Sequence, residues 1–162
     1  MRRTAVVAVL AVLCLAAVTA VAVLGWQRHT HDVEDQARKE AVSAARVAAG
    51  DILGYDYRSI DDAIKRARSE TTGAFRKQYD ETASQLLPQS KQVKAIVQAT
   101  VGSAAVMSGD RDRVVVLLFV DQATVKQQPG AKTPETRIDQ SRVRMTMNRV
   151  GGHWLVSELV AL

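Results

Sequence analysis

The chain has little of what most small enzymes are built from. It holds one cysteine, Cys14, two tryptophans, two phenylalanines, three tyrosines and three prolines in 162 residues. A single cysteine excludes an internal disulfide and a cysteine-based zinc site. Aromatic residues are 4% of the chain, too few for the stacking platforms of a single-strand nucleic-acid binder. Acidic residues are missing from the first 31 positions, and no charge of either sign occurs from Ala5 to Leu24. Missing too are a glycine-rich phosphate loop, a serine nucleophile elbow and a His-Glu-x-x-His pair, so no catalytic residue, cofactor or metal is expected.

The uncharged stretch has an immediate physical reading. Ala5–Leu24 is 20 residues of Ala, Val and Leu with one Cys and one Thr. As a helix it rises about 30 Å, the thickness of a bilayer's hydrocarbon core. Its eleven Val and Leu residues favour insertion by about 3 to 7 kcal/mol. Trp26 falls where an interfacial aromatic belongs. Arg2 and Arg3 precede the run and place the N-terminus in the cytoplasm, with everything after Trp26 outside. A cleaved signal peptide is the alternative, since Ala20-Val21-Ala22 offers a small-residue site. The run is longer than the roughly 7–15 residues of a cleavable segment, which favours a retained anchor. The expected organisation is therefore a cytoplasmic N-terminus over 1–4, an anchor over 5–26, a helical stem over 27–53 and an extracytoplasmic domain over 54–162.

The part beyond the anchor carries 20 basic and 17 acidic residues, a net charge of only +3. The two signs are interspersed, so the overall pI of 9.7 marks a mixed solvated surface and no nucleic-acid partner. In the stem, Val33, Ala37, Ala41, Ala45, Ala48 and Ile52 form a thin apolar stripe at helical spacing, narrow enough for close packing on the domain or on another helix. Ser59 starts a short second helix as a capping residue. Thr71 or Thr72 starts a third, which carries Phe75, Tyr79, Ala83, Leu86 and Leu87 and which Pro88 should stop.

From Val93 the period changes from near four to two. Val93 to Val101 reads as one strand and Arg113 to Thr124 as a second. The run Val114 to Val120 is apolar at every position, which predicts a central strand covered on both sides for part of its length. Lys126 to Glu135, with Pro129, Gly130 and Pro134, is a loop. Thr136 to Val150 is a third strand, Gly151-Gly152 a two-residue hairpin turn, and His153 to Leu159 a fourth. The fold class is α+β: about three helices packed on a curved four-stranded antiparallel sheet, forming a cone.

Candidate functional residues are sparse. His29 and His31 are two apart, about 200° around a helix, and make a poor metal pair. Met145 and Met147 could line a cavity for a lipid ligand, since methionine adapts to varied shapes; ordinary sheet-face packing is the plainer reading. Arg142 and Arg144, on the opposite sheet face, are a candidate partner patch or a solvated face. Asp121, at the end of the apolar strand, is the best weak candidate for an enzyme of this fold, ahead of Asp139 and Tyr79. It would need a dry pocket to act as a base.

Five segments in order carry a resemblance. They are Tyr55-Asp56-Tyr57-Arg58; Thr71-Thr72-Gly73-Ala74-Phe75 with Tyr79; Val115-Val116-Leu117-Leu118-Phe119-Val120; Asp139-Gln140-Ser141-Arg142-Val143-Arg144; and Gly152-His153-Trp154-Leu155-Val156. With the anchor and stem ahead of them, the chain resembles Mce-associated membrane proteins of actinobacteria over nearly its whole length. The resemblance implies a nuclear-transport-factor-two-like cone, similar also to the periplasmic scaffold subunit of type IV secretion systems. It further implies a non-enzymatic accessory or assembly subunit of an Mce-type complex that imports lipids, fatty acids or sterols. Mce complex proteins or a permease are then the expected partners. A lipid carrier, a secretion scaffold and a homo-oligomer remain alternatives, and the resemblance supplies no catalytic motif.

Overall fold

The computed structural model describes residues 33–162, of which 33–53 are helical and form α1. The compact unit comprises Ala37–Leu162; of the preceding unit, Met1–Gln36, only the helical residues 33–36 are described. Ala5–Leu24, Cys14, Trp26, His29 and His31 lie outside the described residues. Among the described residues no helix is long and apolar enough to cross a membrane.

After α1 come β1 (Tyr55–Asp56), α2 (Ile60–Ser69) and α3 (Gly73–Gln92). Four long strands follow: β2 (Ile96–Gly109), β3 (Arg113–Lys126), β4 (Glu135–Val150) and β5 (His153–Ala161). All pair antiparallel in the order β1-β2-β3-β4-β5. The sheet thus has five strands where four were expected. The extra one is the Tyr55–Asp56 connector, which pairs with Val97 and Ile96.

The alanine stripe explains how α1 seats on the sheet. Ala37, Ala41, Ala45, Ala48 and Ala49 are 0–1% exposed, and side chains that stop at Cβ let a helix approach its neighbour closely. Ile52 is partly buried, whereas Val33 is exposed. Against the alanines lie Val114, Val116, Leu118 and Val120 of β3, Val143, Met145 and Met147 of β4, and Trp154 and Val156 of β5. From Val114 to Val120 every second residue of β3 is therefore buried, the period of two that a strand imposes. The long strand ladder also bends. β-Bulges fall between Val101 and Ser103, and between Val106 and Ser108; each inserted residue raises local twist and helps curl the sheet.

Several local expectations need correction. Pro88 does not stop α3, which continues to Gln92. Pro88 is exposed, so the carbonyl that its missing N–H cannot serve lies on the solvent side. Ser59 and Thr72 occupy N-cap positions, but neither side chain makes a capping bond. The Ser59 carbonyl instead accepts from the Asp62 and Ala63 N–H groups. Val93 caps α3 and Lys94 takes a positive φ of 49°, which delays β2 to Ile96. Gly151 and Gly152 both have positive φ, 58° and 85°, as a type I′ hairpin turn requires. The β2–β3 turn is held by Asp110, whose Oδ1 accepts from the Asp112 and Arg113 N–H groups at 2.8 and 3.0 Å.

Both sheet edges are partly closed. On the β5 side, the Val156 N–H donates to the Glu70 carbonyl and the Thr72 N–H donates to the Val156 carbonyl, each at 2.8 Å. On the β2 side, Arg46 Nη1 donates to the Val101 carbonyl and Arg38 Nη2 to that of Gly109, each at 3.1 Å. Side chains thus occupy backbone acceptors that would otherwise invite a foreign strand.

Candidate functional site

The expectation that β3 is covered on both sides fails, and that failure exposes the most distinctive surface. Helix α1 covers one face of the sheet. On the other face lie Val115, Leu117 and Phe119, the alternate residues of the same apolar run; Val115 and Leu117 are half-buried and Phe119 is 41% exposed. The strand register sets what surrounds them. Phe119 stands opposite Arg142 and Leu117 opposite Arg144 on β4. On β2 the same two residues stand opposite Ser103 and Ala105. Beyond Arg144 is Val160 of β5.

Arg142 and Arg144 therefore lie together on this outer face, flanking an apolar strip. The Arg142 guanidinium sits 5.9 Å from the Phe119 ring centroid, within reach of a cation–π attraction. Among the described residues neither arginine has an ion pair. The carboxylates of this face are placed further out. Asp121 accepts from Gln140 Nε2 at 2.8 Å, and Glu158 from Thr146 Oγ1 at 3.0 Å.

Met145 and Met147 lie on the inner face and are fully buried. The two candidate pairs of β4 are thus separated by the sheet. The methionines pack against β3 and α1 in the core cluster, so the cone is filled where they sit.

Asp121 does not point into a dry pocket. It is exposed on the outer face, which removes the burial that a carboxylate base would need. Asp139 is paired with Arg137 at 2.7 Å. Tyr79 is half-buried, and burial first, then the charges of Asp80 and Asp51, push its phenol pKa up. That shift keeps the hydroxyl protonated and opposes a role as base. Glu70 also has its pKa raised, chiefly by burial and then by Asp51. No group of three or more His, Cys, Asp or Glu residues is arranged to hold a metal among the described residues.

A cleft of about 200 Å³, with no counterpart among the expectations from sequence, lies at the far end of the helices. It opens between the end of α1, α2, α3 and β5. Ile52, Leu53, Ile60, Phe75, Tyr79 and Leu159 form much of its wall, and no charged residue lines it. Its polar groups are neutral ones, such as Gln78 and Thr82 of α3. Tyr79 and Leu86 of α3, both expected to be core, are half-buried and line this opening.

Comparison with known proteins places this geometry. A family model described as "Uncharacterized protein Rv1363c/MT1408-like" matches residues 3–160. The chain is 36% identical over 149 residues to the outer membrane protein Rv1973 of Mycobacterium tuberculosis, covering 90% of this chain and 89% of that one. It is 31% identical over 140 residues to the protein Rv1362c of the same organism, covering 83% and 62%. Among solved structures, it is similar to an IcmL-like type IV secretion system protein of Legionella pneumophila, with a TM-score of 0.59, 14% identity and coverage of 77% and 91%. It is also similar to CagV, a VirB8 homologue of Helicobacter pylori, with a TM-score of 0.57, 12% identity and coverage of 74% and 94%. At such identities these likenesses establish a shared α+β fold of helices on a curled antiparallel sheet. The match along almost the whole sequence, and the relative sharing more than a third of its residues, show that the chain belongs to the Rv1363c/MT1408-like family.

Proposed function

We propose that this chain is a non-enzymatic accessory or assembly subunit of an Mce-type lipid import complex, held in the cell envelope by its Ala5–Leu24 segment. The observation that carries the reading is the outer sheet face. Phe119 is exposed and Val115 and Leu117 are half-buried beside two arginines that have no ion partner among the described residues. Apolar, aromatic and arginine side chains grouped in this way match the composition of protein interface centres. The carboxylate best suited to chemistry, Asp121, is exposed on that same face. The name of the relative Rv1973, an outer membrane protein, is in keeping with an envelope location. The resemblance carried by the five sequence segments supplies the link to Mce complexes and to fatty acid or sterol import.

The test is affinity purification of the full chain from solubilised native membranes. Mce proteins or the permease should co-purify in stoichiometric amount. Recovery of the chain without them contradicts the reading.

The cleft favours a second reading, a lipid carrier. Its wall is apolar and uncharged, so it suits a neutral apolar ligand; a bare carboxylate buried there without a cation would carry a large desolvation cost. The site then differs from the methionine-lined cavity that the sequence offered only as an alternative to sheet-face packing. Native mass spectrometry of the purified protein should detect a bound lipid, lost on Ala83→Trp, which fills the cleft. A ligand-free spectrum for freshly isolated protein removes this reading.

A further inference from the structure

We propose that the cleft between the end of α1, α2, α3 and β5 holds the methyl end of one neutral acyl chain, to a depth of about eight carbons. The inference rests on the reading of that cleft as a lipid site and names its ligand by size and by charge.

The cleft owes its depth to small residues on two helices. Ile60 and Ala63 of α2 and Phe75 and Ala83 of α3 are buried and form its floor. Two of these four are alanines, so the space is left where longer side chains would fill it. Gln78 and Thr82 are exposed and mark the mouth.

Size selects the ligand. An apolar cavity of about 150 Å³ holds a benzene ring, about 25 Å³ for each carbon. At that ratio the cleft, with its 200 Å³ or so, takes about eight carbons. The fused rings of a sterol need about twice that volume, and a drug-sized ligand needs about 300–1,000 Å³. One chain end fits; a sterol nucleus does not.

Charge selects the other end of the chain. Arg66 and Arg68 of α2 are engaged by Asp51 and Asp80, at 3.5 and 2.9 Å. At Tyr79, in the wall, burial and then the charges of Asp80 and Asp51 raise the phenol pKa, so the field there is negative. An ionised carboxylate would meet that field with no cation in the wall to offset its desolvation. Gln78 and Tyr79 instead supply neutral donors, which suit the carbonyl of an ester or amide. The chain therefore enters methyl end first and leaves its carbonyl at the mouth. Each methylene buried strengthens binding about fourfold. Affinity climbs with chain length until the cleft is full and stays level beyond.

The test uses the full chain with Cys14→Ser and Thr82→Cys, in native membranes, and reads the rate at which iodoacetamide alkylates the introduced thiol. A chain seated in the cleft shields it. Ser43→Cys, on the exposed side of α1, is the control that a seated ligand leaves unshielded. The probes are methyl esters from butanoate to dodecanoate, each at a measured free aqueous concentration. Half-protection should need about fourfold less ester for each added carbon up to about eight, and no less beyond. Octanoate at pH 7 should need at least about tenfold more than methyl octanoate, and cholesterol should not protect. Ala83→Val, which fills about two carbons of the floor, should bring the level portion down to about six. Affinity still rising at dodecanoate, a break unmoved by Ala83→Val, octanoate equal to its ester, or protection by cholesterol overturns the inference. In each of those outcomes a lipid still binds and the lipid reading of the cleft stands; protection by no ester, acid or sterol removes both.

Discussion

Ala45 shows how tightly residue size is set in this fold. It is 0% exposed between α1 and the sheet, so Ala45→Leu forces extra carbons into a filled layer and should cost about 1–3 kcal/mol. Thermal unfolding followed by circular dichroism should show a lowered midpoint. An unchanged midpoint would mean that the helix does not seat on the sheet as described. Met147 has the opposite problem. It is fully buried, and Met147→Ala should cost about 2–5 kcal/mol through the cavity it leaves. If the side chain instead lined a lipid site, the loss would appear in ligand binding with little change in stability. Glu70 sets a pH dependence. Its folded pKa is raised above the ordinary 4.5, so ionised Glu70 weighs on the fold at neutral pH. The stability it contributes is fully present below about 4.5 and is lost as pH rises through the raised folded value. Glu70→Gln should therefore gain on the wild type at pH 7 and lose that advantage near pH 4; a variant weaker at pH 7 would contradict the sign. Asp61 and Asp110 run the other way. The bond from Lys91 lowers Asp61, and the backbone N–H groups of Asp112 and Arg113 lower Asp110. Their contributions hold above the ordinary 3.8 and fade as pH falls through the lowered values.

Among the elements, α3 contains an internal burden. Pro88 lies inside a 20-residue helix, where proline costs about 3 kcal/mol against alanine. Pro88→Ala should raise the unfolding midpoint, by less than that full amount because proline also restrains the unfolded chain; a lower midpoint would show that Pro88 shapes a bend the fold needs. The same helix shows why parts of the fold were legible in the sequence and others were not. Proline is normally a stop, and only its place on the solvent side lets α3 pass through it. The double glycine turn was readable because few other pairs adopt two positive φ values. The stripe of α1 was readable from spacing alone. The pairing of β1 was not, since two residues carry no period. The alternation of β2 was readable as far as Val101, where a bulge at Gly102 switches the faces. For β3 the seven apolar residues gave the strand but hid the asymmetry. Sequence cannot tell a second buried face from an uncovered one. Arg142 and Arg144 were placed on the correct side of the sheet by alternation, and their neighbours Phe119 and Leu117 emerged only with the register.

For the whole molecule, the central claim is that this chain acts by association through its outer sheet face and performs no chemistry of its own. In this account the alanine-packed core supplies a rigid body, and the sheet a surface of arginines and apolar side chains. The direct measurement is uptake of labelled fatty acid and labelled sterol by cells in which the gene is deleted and then restored. Wild type should restore import. Asp121→Ala should restore it equally, and the outer-face double variant Leu117→Arg with Phe119→Asp should behave as the deletion while still accumulating in the membrane. Normal import with the double variant, or its loss on Asp121→Ala, would contradict the account.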